Sequence, residues 1–350
     1  MSFPDILKKL QSNADLDEND LLSIFSYFEE KKLNDEDIKK LVLVWRKKKE
    51  TPDEIFHLAS IVNKKQGQRS VSLNAIDICG TGGDKTNTFN ISTLTAIVAS
   101  SCGLEVIKHS GRSTTGISGS VDILSELDYE FNSDYELQES CFKKYKLMFV
   151  SSKLLRETFG DVKKNCKEIN IPGFVNLLGP LTNPYFTSYH LLGVSNPEWG
   201  NLLADTLKYF KDKNALIVCS KTQSGNYLDE LSFCGENCIW EVSKQVVKKS
   251  VISESLLLKY TQELVKLDEL IVKDLKESKD IFSLILKGKE ARNTKHPKTD
   301  VIALNAGAAL YLAKKAKSIL EGYSFALGHI KTGKAWEHFQ NFLNCNKKRT

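Results

Sequence analysis

Between residues 77 and 93 the chain reads DICGTGGDKTNTFNIST. Gly80, Gly82 and Gly83 end a short apolar run, as the last residues of a buried strand do. Glycine accepts positive φ angles, so successive N–H groups in such a turn can converge on one point and form a nest for an anion. A helix starting around Asn90–Thr93 would add its positive N-terminal end, with the Ser92 and Thr93 hydroxyls in the first turn. The matching chemistry is capture of a phosphate or diphosphate. A capped strand-to-helix turn is the alternative, and residue types alone do not separate the two. The spacing fits neither G-x-G-x-x-G nor G-x-x-x-x-G-K-[ST], so no nucleotide assignment follows.

A second dense stretch is KHSGRSTTGISGSVD, residues 108–122. Lys108 and Arg112 supply cations, and Ser113, Thr114, Thr115, Ser118 and Ser120 supply hydroxyls. Gly111, Gly116 and Gly119 let the backbone approach a ligand. The stretch follows a strand pattern, so it belongs at the same sheet edge as the first loop. Two such loops together point to a highly phosphorylated ligand. Asp229 and Glu230 are adjacent acids; near a diphosphate they suit Mg²⁺, which takes few carboxylates plus substrate oxygens, and Ser92 could add a hydroxyl. His109 could donate to a ligand, but no serine–histidine–acid arrangement is legible. Cys234 and Cys238 have neither a second pair nor a nearby histidine, which argues against zinc. VNLLGPLTNP (175–184) reads as a rigid, packed turn.

The elements that must position these loops follow from periodicity. Residues 3–65 repeat apolar positions three and four apart, with Asp15, Asn34 and Thr51 at N-cap positions: a small all-helical domain. From residue 71 the pattern changes. NAIDICG, LEVIKHS, KLMFVSS, NALIVCS and QVVKKSVIS read as strands, separated by helices, and residues 301–343 read as helical. The expected fold class is α/β: a small N-terminal helical domain (1–70, joined by part of 160–185) plus a large α/β domain (71–350) with a mostly parallel central sheet. The 350 residues carry a net charge of +5, with lysines spread along helices rather than blocked. That reads as a solvated surface, and no nucleic-acid motif accompanies it. No signal sequence or membrane span is visible. Eight scattered cysteines in such a chain read as reduced thiols in a cytosol.

These residues resemble the anthranilate phosphoribosyltransferase family. Gly80–Asp84 match its G-T-G-G-D, and Asn87–Thr93 match its N-T-F-N-I-S-T. Lys108–Ser113 resemble its K-H-G-N-R-S loop and Ser118–Asp122 its S-G-S-x-D. NLLGPLTNP, the Asp229–Glu230 pair, ALNAGAALYLAKKAKSILEG and RKKKETPDE complete a likeness over nearly the whole chain. The resemblance implies a cytoplasmic homodimer with the site in a cleft between two domains. It implies transfer of phosphoribose from 5-phosphoribosyl 1-diphosphate (PRPP), with Mg²⁺, to the amine of anthranilate in tryptophan biosynthesis. By position, Gly80, Gly83, Asp84, Thr88, Asn90, Ile91, Ser92, Thr93, Lys108, His109, Arg112, Ser113 and Ser120 would hold the donor. Ser92, Asp229 and Glu230 would hold metal, with Lys108, Asp229 and Glu230 catalytic. Gly80, Gly111, Arg156 and Cys166 would face the acceptor.

The acceptor side departs from the family pattern. The asparagine of K-H-G-N-R is Gly111 here, and ungapped counting puts the family's acceptor-binding arginine on Cys166. Its H-P motif falls on Arg156–Glu157 and a second arginine on Pro172. Three alternatives therefore stand: the same donor chemistry on another small acceptor, a related nucleoside phosphorylase, or a non-catalytic relative that binds nucleic acid.

Overall fold

The computed structural model describes residues 1–84, 86–111, 119–131, 134–261, 263–289 and 296–347. The chain opens with four helices: α1 (Phe3–Gln11), α2 (Glu18–Glu29), α3 (Asp35–Lys48) and α4 (Pro52–Gln66). Ser2, Asp17, Asn34 and Thr51 cap them, each side chain accepting a first-turn N–H. The cap expected at Asp15 is Asp17, which forms a reciprocal capping box with Asp20. One carboxylate ties this region together. Glu54 is fully buried and accepts from the Leu16 N–H, the Trp45 Nε1–H, the Thr51 N–H and the Lys48 ammonium. Glu54→Ala leaves those donors unmet, so we expect a loss of about 3–5 kcal/mol, the usual cost of breaking a buried charged pair. Urea unfolding curves check this.

The large α/β domain follows. Its strands and helices are β1 (Ile76–Gly80), α5 (Ile91–Ser101), β2 (Val106–His109), α6 (Ser120–Glu126), α7 (Tyr135–Tyr145) and β3 (Leu147–Val150). Two helices, α8 (Lys153–Glu168) and α9 (Phe174–Leu181), precede β4 (Tyr189–Gly193), α10 (Pro197–Leu207) and β5 (Asn214–Lys221). Short β6 (Tyr227–Leu228), then β7 (Asn237–Ser243), β8 (Val246–Ile252) and α11 (Glu254–Leu257) come next. The chain finishes with α12 (Leu275–Leu286), α13 (Pro297–Leu312), α14 (Ile319–Lys331) and α15 (Lys334–Asn346). The sheet order is β3-β2-β1-β4-β5-β7-β8, with β6 paired to β5. The first five strands are parallel, and β6, β7 and β8 are antiparallel. Parallel strands are buried on both faces, which is why β3 and the centre of β5 read as apolar runs, while β1 is apolar apart from buried Asp77.

The excursion from β3 through α8 and α9 to β4 goes back to the N-terminal helices. Phe159 and Phe174 pack against Phe28, and Trp45 lies over Phe174 at 4.7 Å between ring centroids. The segment NLLGPL, read as a turn, is instead the body of α9, with Pro180 in its last turn. Among the described residues no helix is long and apolar enough to cross a membrane.

The cysteines correct one expectation. Cys141 on α7 and Cys345 on α15 form a disulfide across 204 residues, with Cα atoms 5.9 Å apart; the other six are free. The reading of all eight as reduced thiols therefore fails for this pair, whose partners lie too far apart in sequence for spacing to reveal them. The same helix end is held twice more. Asn346 accepts the Glu130 N–H at 2.8 Å, and Tyr129 stacks on Phe342. Closing so long a loop restricts the unfolded chain, so Cys345→Ser is expected to lower stability by about 2–4 kcal/mol. Denaturant titrations with and without reductant test it: reductant should matter for the parent and not for the variant.

Candidate active site

A cavity of about 1180 Å³ opens where β1, β2 and β3 end, facing α8 and α9. The glycine turn forms part of its floor. Gly82 and Gly83 have φ of +64° and +86°, and Asn87 follows at +53°. These angles turn the chain from β1 toward α5, whose first residue is Ile91. Gly80 pairs with Gly193 on β4, and both must lack a side chain because the Asp229 segment crosses directly over them. A Cβ on Gly80 would stand 2.5 Å from Asp229 Oδ2. The Gly82 N–H donates to that same oxygen at 2.9 Å. Asn305 of α13 clamps the neighbouring backbone, accepting the Leu231 N–H at 3.0 Å and donating to its carbonyl at 2.8 Å.

Three carboxyl groups meet here. Burial is the first cause that raises Asp229 to about 7, and the charge of Asp84 is the second. Glu230 is pushed well above its usual range, again by burial first and then by Asp229; the Lys108 charge and a Ser92 N–H oppose the shift. Lys108 is buried, with its ammonium 2.7 Å from the Ile78 carbonyl. A divalent cation held between these carboxylates would offset both causes of the shift, burial and like charge. All three acids line the cavity with Ser92. The donor set, hard oxygens beside an anion-binding turn, fits Mg²⁺.

The opposite wall is helical. Arg156, Gly160, Lys163 and Lys167 recur at spacings of four, three and four on α8, which puts them on one stripe, and all line the cavity. Arg156, Lys163 and Lys167 have no acid within ion-pair distance among the described residues. Lys163 is half-buried, and burial draws its pKa down. A Cβ on Gly160 would meet nothing within 4 Å, so the stripe has a gap between its cations. Asn176 of α9 reaches the Thr81 carbonyl at 3.4 Å and joins this wall to the glycine turn.

The structure brings most of the expected residues together. Gly80, Gly83, Asp84, Thr88, Asn90, Ile91, Ser92, Lys108, His109, Gly111, Ser120, Arg156, Asp229 and Glu230 all line the cavity. Arg112 and Ser113 lie outside the described residues. Two expectations need correction. Thr93 is buried within α5 and does not reach the cavity. Cys166 belongs to the stripe Phe159–Val162–Cys166 that packs against the N-terminal helices, and its sulfur would be 3.1 Å from a Cβ on Gly173. Counting without gaps ignored the helical period; Lys163, three residues earlier, occupies the cavity face. A third expectation, His109 as a donor ligand, meets a ring whose nitrogens are both taken: Nδ1 is 2.8 Å from the Gly179 carbonyl and Nε2 is 3.3 Å from the Ser152 N–H. Sequence reading missed Lys163, Gly160, Asn176 and Asn305. The α8 spacing starting from Arg156 was the available signal for the first two.

Known proteins match the chain along most of its length. The family model described as glycosyl transferase family, a/b domain, matches residues 72–336. The anthranilate phosphoribosyltransferase of Chlorobium phaeobacteroides is 30% identical over 347 residues, covering 99% of this chain and 98% of that one. The chain belongs to the anthranilate phosphoribosyltransferase family. Solved structures of the family superpose along its length. The Thermus thermophilus anthranilate phosphoribosyltransferase has a TM-score of 0.84 at 27% identity, covering 98% of this chain and all of that one. The Saccharomyces cerevisiae anthranilate phosphoribosyltransferase, solved in complex with PRPP and Mg, gives 0.83 at 26% identity, with 98% and 97% covered. Membership in the family makes the protein a pentosyltransferase.

Proposed function

We propose that the protein transfers phosphoribose from PRPP to the amine of anthranilate and releases diphosphate, a step of tryptophan biosynthesis. The observation that carries this reading is one cavity with two different walls. One side gathers the glycine turn, the start of α5, Lys108 and three half-buried acids. The other presents a cationic stripe with no acid partner among the described residues. The first suits a sugar diphosphate, the second an acceptor with a carboxylate. Mg²⁺ would be held by Asp229, Glu230 and Asp84 with the Ser92 hydroxyl, and when bound it supplies charge neutralisation for the diphosphate.

In the reaction the C1–oxygen bond of PRPP breaks, the electron pair leaving with diphosphate. The amine lone pair forms the new C1–nitrogen bond, and one amine proton is lost to solvent. Backbone N–H groups of the turn and the Lys108 ammonium face the charge that grows on the departing group. An arylamine is a weak nucleophile, so holding it against C1 in the cavity supplies much of the rate. Lys163 takes over the acceptor carboxylate in place of the expected Cys166, and the open space at Gly160 admits the ring. The protein is read as a cytoplasmic homodimer, on family resemblance.

The test mixes the protein with PRPP, Mg²⁺ and a panel: anthranilate, aniline, other aminobenzoates and nucleosides with phosphate. Stoichiometric loss of anthranilate with release of diphosphate supports the proposal. Phosphate-dependent release of free base would instead support a nucleoside phosphorylase. Transfer to another arylamine alone would relocate the acceptor.

A further inference from the structure

We propose that His109 is a positioning residue that sets the register between the donor wall and the acceptor wall. The inference rests on reading α8 as the acceptor wall. β2 ends at His109, one residue after Lys108, so the imidazole starts from the donor side. Its ring reaches both chain crossings that lead to and from the helical wall. Nδ1 faces the Gly179 carbonyl on α9, and Nε2 faces the N–H of Ser152, the N-cap of α8. A carbonyl can only accept and an N–H can only donate. The ring is therefore neutral with its proton on Nδ1, and it has no free group for a ligand.

The anchor beneath is equally defined. The His109 N–H donates to Asp77 Oδ1 at 2.9 Å, while Asn183, just past α9, donates to Asp77 Oδ2 at 2.8 Å. Ser152 is held in turn, its hydroxyl 3.0 Å from Gln66 Oε1 at the end of α4. One imidazole thus joins β2, the first turn of α8 and the body of α9. Arg156, Lys163 and Asn176 are carried by the two helices it holds. Burial lowers the pKa of the ring, in keeping with the neutral form that both bonds require.

A pin of this kind has a specific kinetic signature. The donor binds to groups on β1, β2, α5 and the Asp229 segment, none of which needs the His109 ring. The acceptor needs the helical wall in the right place, where a displacement of about 1 Å can cost 10²-fold. The experiment compares wild type with His109→Phe and His109→Gln; glutamine keeps one donor and one acceptor. Calorimetry with PRPP and Mg²⁺ reads donor affinity, steady-state kinetics read the anthranilate KM, and amide hydrogen exchange reads the first turn of α8. For His109→Phe we expect donor affinity within about threefold of wild type, the anthranilate KM raised about 10- to 100-fold, and faster exchange at Ser152. His109→Gln should recover part of the KM. Nitrogen NMR of the wild type should show the Nδ1-protonated neutral ring. An equal loss of donor affinity would make His109 a donor ligand and overturn the proposal, as would an unchanged KM and exchange rate. If His109→Phe fails to fold, His109→Gln and the nitrogen spectrum decide, and an Nε2-protonated or charged ring overturns it. If wild type transfers nothing to anthranilate, the functional reading fails, while the exchange and nitrogen measurements still decide whether the pin exists.

Discussion

Replacing Asp229 with asparagine is expected to lower kcat/KM for PRPP by about 10³, the scale of removing a principal electrostatic element from a reaction that develops charge on its leaving group. Lys108→Ala should fall in the same range. Arg156→Ala should cost far less, because its side chain is exposed and on the acceptor wall. Equal losses in all three would contradict this division. The substitution has a second consequence that a merely structural aspartate would not show. With Asp229 raised to about 7 by burial and then by Asp84, Mg²⁺ must displace a proton to bind. Donor-site affinity for the metal should therefore rise with pH through about 7, and Asp229→Asn should flatten that rise. Stability runs the other way. A carboxyl whose folded pKa is raised contributes stability at low pH that disappears as pH climbs from the unfolded value toward about 7. The metal-free protein should lose thermal stability over that window, regain it with Mg²⁺, and show a weaker loss in the asparagine variant. Melting curves at several pH values, with and without metal, read both effects.

Lys163→Met should raise the anthranilate KM by about 10- to 100-fold while leaving PRPP affinity nearly unchanged. The figure corresponds to the usual worth of one hydrogen bond to a charged group. Methionine keeps the aliphatic stem and removes the ammonium, so packing on α8 changes little. Cys166→Ala provides the contrast. Cys166 faces the N-terminal helices, so its loss should lower stability somewhat and leave the anthranilate KM alone. Steady-state kinetics on both variants separate the two positions. A KM effect at Cys166 and none at Lys163 would restore the ungapped assignment.

The donor side was legible in the sequence because its chemistry is local. A glycine turn, its following helix and an adjacent pair of acids declare themselves within a few residues each. What lay hidden was whatever depends on contacts across the fold. Asp84 reads as one more residue of the turn until the fold brings Asp229 beside it. Asn305 sits in an apolar helix and gains meaning only because Leu231 passes next to it. The central strand β4 escaped notice because buried His190 interrupts a five-residue run, and β7 because its polar and apolar residues alternate against β8. On α8 the difficulty was phase. Cys166 and Lys163 are less than one turn apart, yet one faces the helical core and the other the cavity. The disulfide was beyond reach for the same reason as Asn305: its two ends share no sequence neighbourhood.

Titrating PRPP into the wild-type protein by calorimetry, once with Mg²⁺ and once with a chelator, tests the account most directly. Saturable heat in the first titration, strongly diminished in the second, is the predicted result. No heat in either, or the same binding curve in both, would contradict the assignment of the clustered acids and the glycine turn to a magnesium-assisted sugar diphosphate site.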